Sequence, residues 1–272
     1  MNGPGPVIQQ RALCALEPPA LAQPDAVHCQ RAERYLHRLP RLREAQARLG
    51  DGRAGDGAAL ETMLALRHPL CARMAPPADW GSDDRSHAEF ASFAQALPRY
   101  LAFASRHDAA AMLELLVAID AGAARGAVRR TGMSLEGVSA SAMIRFEGAD
   151  AAGQRLAWIA ATLAAARPGL PGIAFACWAY VLLLNAHPFS DGNGRVARIL
   201  FNLELARMGM PAGSYLPIFL AMRRSAGGYE IKLREAEIQA RWRGIVRFMC
   251  DAILIAAGAA TMVAACIEGD GR

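Results

Sequence analysis

Between His187 and Arg198 the chain reads His-Pro-Phe-Ser-Asp-Gly-Asn-Gly-Arg-Val-Ala-Arg, and most of these residue types suit phosphate chemistry. An imidazole titrates near neutrality, so His187 is the candidate general base. Asp191 offers a hard carboxylate oxygen of the kind that holds Mg²⁺ carrying a nucleotide. Gly192 and Gly194 have no Cβ, so backbone N–H groups on either side of Asn193 can close around a ligand. Arg195 and Arg198 stand three apart and can share one side of a helix, where both can clamp phosphate oxygens. Taken one at a time, these residues also read as a buried histidine, a turn-forming Asp-Gly and solvated arginines. Their order is what points to a site.

The cradle requires a helix start. Ile173 to Leu184 is apolar throughout, is bounded upstream by Pro171-Gly172, and predicts about three helical turns leading into the motif. Beyond it Val196, Ile199, Leu200 and Leu203 fall at the spacing of one buried helical face. Gly209 suits the C′ position of that second helix and Pro211 stops it. The expectation is helix, polar turn, helix. The N–H groups and macrodipole of the second helix then face the turn as an anion site for phosphate or pyrophosphate.

The motif resembles the signature of the Fic (filamentation induced by cAMP) family, His-Pro-Phe-x-[Asp/Glu]-Gly-Asn-Gly-Arg-x-x-Arg, with every specified position present. The resemblance implies a mainly α, compact helical bundle with a short β-hairpin flap near the active site. It also implies a protein adenylyltransferase, which moves AMP from ATP-Mg²⁺ to a Ser, Thr or Tyr hydroxyl of a target protein and releases pyrophosphate. On that reading His187 is the base and Asp191 the metal ligand. Gly192, Asn193 and Gly194 form the anion hole, Arg195 and Arg198 take the β- and γ-phosphates, and Phe189 anchors the loop. Doc-type kinases, which are related, break the glycine pattern and put lysine at the first arginine; Gly194 and Arg195 argue against that branch.

Between Arg130 and Gly148 the character changes. Val138, Ala140, Ala142, Ile144 and Phe146 share one parity, punctuated by Gly132, Gly137 and Gly148, which predicts a short hairpin. In the family such a flap is where a protein substrate adds as an extra strand, here over about 132–148. The resemblance runs from about Arg130 to Phe248.

The whole chain has 272 residues, 53% hydrophobic and 20% charged, with a net charge of +5. That is enough apolar material for a core, and the mild basic excess gives no reason to expect nucleic acid. The cysteines, Cys14, Cys29, Cys71, Cys177, Cys250 and Cys266, are scattered without a Cys-x-x-Cys pair, which favours reduced thiols. No signal-like N-terminus is apparent. The apolar run Ala252 to Ile267 is short and alanine-rich, so no membrane span is expected and a cytoplasmic location is, with a secreted bacterial effector as the alternative.

Residues 1–24, rich in proline, read as an irregular leader. Residues 25–124 read as an N-terminal helical extension. It holds a basic helix from Asp25, taken as its N-cap, to Leu49 with a break near Pro40, then Gly-Asp-Gly loops, a segment from Glu61 to Met74, and helices over Ser86–Ser105 and Ala109–Ala123. The arginines from Arg31 to Arg43 read as a solvated face or as a docking surface for an acidic partner. Residues 125–272 form the catalytic core, ending in a polar helix from Tyr229 to Ala240 and an apolar one from Trp242 to Ile267.

Many family members are restrained by a glutamate in [Ser/Thr]-x-x-x-Glu-[Gly/Asn] that pairs with the second motif arginine. No strict match occurs; Glu268-Gly269 and Glu136-Gly137 come nearest, making Glu268 and Glu136 the candidate inhibitory residues. If neither serves, the chain is unrestrained or held by an antitoxin-like partner, and a homodimer is the other assembly considered. Alternatives for the same cradle are another donor (UTP, GTP or CDP-choline), removal of AMP, and a non-catalytic nucleotide-binding module.

Overall fold

The computed structural model describes residues 7–9, 17–50, 84–103, 108–124, 127–132, 134–136, 143–146, 148–165, 170–225 and 227–258. The fold is mainly helical. Its centre follows from the most apolar stretch of the sequence. Helix α6 (Gly172–Ala186) buries nearly every residue from Ile173 to Ala186. A helix apolar on all sides can satisfy that pattern only by being surrounded. It packs most extensively against α7 (Asn193–Arg207), whose face from Val196 to Leu205 is equally buried.

The other elements enclose this pair. Helix α1 (Gln23–Tyr35) leads through a 3₁₀ turn at Leu36–Arg38 into α2 (Leu42–Gly50); then come α3 (Asp84–Phe103), α4 (Ala109–Ala124) and α5 (Ala149–Ala165). After α7 follow α8 (Ile218–Arg224), α9 (Gly228–Gln239) and α10 (Arg243–Ala256). Helices α3 and α4, placed in the N-terminal extension on sequence, both pack against α7 and so reach the motif. Among the described residues no helix is long and apolar enough to cross a membrane.

Strands β2 (Ser134–Glu136) and β3 (Met143–Arg145) pair antiparallel, with Leu135 opposite Ile144. Residues 137–142, which join them, lie outside the described residues, so the flap is not seen as a unit. A third strand, β1 (Val7–Gln9), lies parallel to β3 with Val7 opposite Met143. It comes from the leader read as irregular. The β-branched pair Val7-Ile8 favours extended backbone, and the partner that fixes it is far away in sequence.

Two helix ends differ from expectation. Asp25 is not an N-cap: α1 begins at Gln23 with Pro24 in its first turn, where the missing N–H costs nothing. Asp25 is instead buried, accepting from Arg247 Nε at 2.6 Å and lying 3.4 Å from Arg243 Nε. It thus ties α1 to α10, as does His28 Nε2 with Asp251 Oδ1 at 2.8 Å. The terminal apolar helix ends at Ala256 rather than running to Ile267, because Gly258 turns left-handed at φ +76°. Arg48 of α2 donates to the Ala256 carbonyl at 2.7 Å, and its cation complements that helix end. Cys29, Cys177 and Cys250 are buried free thiols, as read from the sequence. Glu61–Met74 and Glu268 lie outside the described residues.

Candidate active site

The motif begins at a left-handed residue. Helix α6 ends at Ala186, and His187 takes φ +46°, ψ +54°, with its N–H bonded to the Leu183 carbonyl at 3.1 Å. A side-chain-bearing residue in this region costs free energy, so the surroundings must hold it there. They do so by a short pairing with 127–129. Arg129 N–H donates to the Pro188 carbonyl at 2.9 Å and Ser190 N–H to the Ala127 carbonyl at 3.2 Å. The buried Arg129 side chain adds a bond from Nε to the His187 carbonyl at 2.7 Å and one from Nη1 to the Thr131 carbonyl at 3.2 Å.

The His187 ring stacks on Phe146, with centroids 4.1 Å apart and planes 17° apart. Burial, with help from the nearby Arg129 and Arg234 cations, pushes its pKa down to about 4. The imidazole is therefore neutral at pH 7. Nδ1 lies 3.4 Å from the Leu184 carbonyl, which can only accept, so the proton belongs on Nδ1 and the Nε2 lone pair is left for a substrate.

Past His187, Phe189 is buried and the loop is pinned by Asn193. The Asn193 Oδ1 accepts from Phe189 N–H at 2.9 Å and Nδ2 donates to the Phe189 carbonyl at 2.8 Å. The Asn193 side chain thus holds the loop, and its backbone N–H is what it can offer the anion hole to which the sequence assigned this residue. Gly192 is left-handed at φ +79°, and the first bond of α7 runs from Val196 N–H to the Gly192 carbonyl. The N–H groups of Asn193 and Gly194 start the helix, where no intrahelical acceptor exists. A Cβ on Gly194 would stand 3.2 Å from Arg198 Nη1, so glycine lets that guanidinium fold over the cradle.

Both motif arginines have carboxylate partners. Arg195 Nη2 is 2.9 Å from Asp191 Oδ2, an exposed i,i+4 pair in which the Asp191 side chain is 73% accessible. Arg198 is buried against Glu89 of α3: Nε reaches both carboxylate oxygens, at 3.0 and 3.1 Å, and Nη2 also donates to Oε1. Tyr215 donates its hydroxyl to Glu89 Oε2 at 3.1 Å. Sequence reasoning missed Glu89. Arg85 stands where the regulatory pattern asks for Ser or Thr, and Phe90 where it asks for Gly or Asn, so a strict match passes over it. Glu136 lies in β2.

Hard anionic oxygens are what Mg²⁺ requires. Asp191 supplies them at the mouth of the cradle. Asp120, late in α4, is 1% exposed, and neither of its carboxylate oxygens has a hydrogen-bond partner. No group of three or more His, Cys, Asp or Glu side chains suited to a metal occurs among the described residues. The donor set therefore fits an ion that takes the rest of its shell from phosphates and water. An open cavity of about 450 Å³, lined by Glu33, Gly172, Phe175, Arg207 and Met208, is at the opposite end of α6 from His187 and shares none of these groups.

Known proteins resemble this chain in part of its sequence and in its fold. The Fic/DOC family profile matches residues 120–205. A protein adenylyltransferase Fic from Drosophila persimilis is 37% identical over 79 residues, 28% of this chain and 14% of that protein. One from Aedes aegypti is 49% identical over 39 residues, 14% of this chain and 8% of that protein. The match thus spans a small fraction of the length of these relatives. A crystal structure of a Fic family protein from Desulfovibrio desulfuricans G20 superposes with a TM-score of 0.55 at 18% identity, covering 94% of this chain and 78% of that one, a likeness of fold. Residues 120–205 thus match the Fic/DOC family, and within them the motif from His187 to Arg198 lies at the junction of the two central helices.

Proposed function

We propose that this chain is a protein adenylyltransferase, transferring AMP from ATP-Mg²⁺ to a Ser, Thr or Tyr hydroxyl of a target protein. The observation that carries the reading is a neutral, stacked His187 one short loop before the N-terminus of α7. Binding alone has no use for a base beside an anion cradle.

The chemistry follows from positions. His187 Nε2 takes the proton of the target hydroxyl as its oxygen forms a bond to the α-phosphorus. The bond from that phosphorus to the α,β-bridging oxygen breaks, pyrophosphate leaves, and the proton passes from His187 to solvent. The N–H groups of Asn193 and Gly194 and the cation of Arg195 meet the charge on the phosphates, which is where most of the help in phosphoryl chemistry lies. Mg²⁺, held by Asp191, would supply charge neutralisation at the α- and β-phosphates. The target would add as a strand on the free side of β2, because β3 is already flanked by β1 and β2.

Glu89 acts on this reading as an internal restraint, occupying the guanidinium of Arg198 that the γ-phosphate needs. The experiment incubates wild type, Glu89→Gly and His187→Ala with Mg²⁺ and α-labelled ATP, scored by intact mass. AMP adducts in Glu89→Gly, fewer in wild type and none in His187→Ala, are expected. Adducts that persist in His187→Ala would sink the mechanism, and a different nucleotide adduct in parallel UTP, GTP and CDP-choline reactions would change the donor.

A further inference from the structure

Asp120 is a buried carboxylate that the reaction just described does not use. It projects from α4, which packs against α7, the helix that begins at the cradle. It is 1% exposed with both oxygens unpartnered. A buried carboxylate without hydrogen bonds is costly, and structures rarely keep one unless something else satisfies it. The neighbouring charges say what that is. Burial is the main cause that pushes the Asp120 pKa up, to about 6; the Asp191 charge adds to the rise and the Arg195 charge offsets it. Two carboxylates that repel across one site, one of them orphaned, are reconciled by a cation between them.

We propose that Asp120 is a second acidic residue for the divalent cation at Asp191, oriented toward the ion directly or through one of its waters. The proposal rests on the nucleotide-transfer reading of the site. Mg²⁺ keeps several waters and takes one or two carboxylates beside substrate phosphates, so two acidic side chains from two helices complete the protein's share. When nucleotide draws Arg195 to its phosphates, Asp191 loses its partner, and the cation then serves both carboxylates. Asp120 also reports a division of labour: α7 presents the anion cradle, and α4 presents the counter-charge that keeps the metal on the α,β side.

The test uses the full chain and Mn²⁺, with free Mn²⁺ read by electron paramagnetic resonance, alone and with α,β-methylene-ATP. Metal-free nucleotide binding is measured by calorimetry in chelator. Asp120→Asn is expected to hold Mn²⁺ about tenfold more weakly in the nucleotide complex, the scale of losing one metal-orienting group. Its metal-free nucleotide binding should be unchanged or tighter, because a negative charge has been removed. Mn²⁺ affinity equal to wild type would overturn the proposal, and so would an equal loss with and without metal, which marks a role in the fold only. Should Asp120→Asn melt too early to titrate, Asp120→Glu, which keeps the charge on a longer arm, is expected to retain Mn²⁺ with altered affinity; no change there would overturn it. If wild type and Glu89→Gly bind no nucleotide, the transfer reading fails. The titration with Mn²⁺ alone then decides this one, weaker retention by Asp120→Asn supporting it and identical retention ending it.

Discussion

Replacing Glu89 by alanine should move stability and nucleotide affinity in opposite directions. In the folded chain Glu89 is 2% exposed on its side chain, its two oxygens take Arg198 and it also accepts from Tyr215. Removing one partner of a buried pair leaves an uncompensated charge, which costs about 3–5 kcal/mol. For a chain of this size each kcal/mol lowers the melting temperature by roughly 2–4 °C, so a drop on the order of 10 °C is expected. The same change releases the Arg198 guanidinium for phosphate. A nucleotide at about 100 times its Kd returns about 2.7 kcal/mol to a protein that binds it, so ATP-Mg²⁺ should recover much of the loss in Glu89→Ala and raise wild type less. The assay is thermal melting of both proteins across an ATP-Mg²⁺ titration, with AMP transfer measured in parallel. A variant that melts lower but gains no more from ATP than wild type would make Glu89 a core ion pair and nothing else. A variant as stable as wild type would refute the geometry itself.

The depressed pKa of His187 carries a pH signature. At pH 7 the imidazole is neutral in folded and unfolded chains and contributes nothing; between its ordinary value near 6.5 and about 4 the unfolded chain takes a proton that the folded one refuses. Wild type should therefore lose up to about 3 kcal/mol relative to His187→Ala as pH falls through that window, measured by paired denaturant melts, and transfer activity should hold down to about pH 5. Phe146→Ala opens the stacked face to water, so the His187 titration followed by NMR should rise toward its ordinary value, and an unchanged titration would remove burial as the cause. Asn193→Ala leaves the buried Phe189 N–H and carbonyl without partners and should cost about 2–4 kcal/mol in denaturant melts, with transfer lost as the loop loosens.

What was legible in the sequence was what is local. The apolar run from Ile173 and the period of Val196, Ile199, Leu200 and Leu203 are enough to place α6 and α7, since a helix is fixed by neighbours three and four residues apart. The cradle was legible for the same reason, because a helix start with glycines is a property of one short stretch. The features that fell outside are contacts across the chain. Glu89 lies 109 residues from Arg198, and nothing within its own helix marks it as a partner. Asp25 looked like an N-cap, a local role, until Arg247 at a separation of 222 claimed it. Phe146 was assigned to a strand face, and the sequence could not say that the face would end against an imidazole. Asn193 shows the same limit: the sequence placed the residue at the anion hole, but only the fold shows its side-chain amide bonded to the Phe189 backbone while its own N–H stands at the helix start.

The two motif arginines show why burial, and not charge alone, sets the behaviour of the site. Arg195 and Asp191 form an exposed pair, and such pairs contribute little, so the phosphates can take Arg195 and a cation can take Asp191 with almost no loss. Arg198 and Glu89 form a buried pair in which Tyr215 also holds the carboxylate. To release Arg198, Glu89 must lose the cation while still enclosed, or α3 must carry it out. The first costs several kcal/mol; the second requires a helix to move against α7, on which it is packed. On the proposed reading, nucleotide entry at the exposed pair is an exchange of equals, whereas seating the last phosphate is a conformational step. A restraint built this way can be relieved by anything that draws α3 away from α7, without a change at any residue of the motif itself.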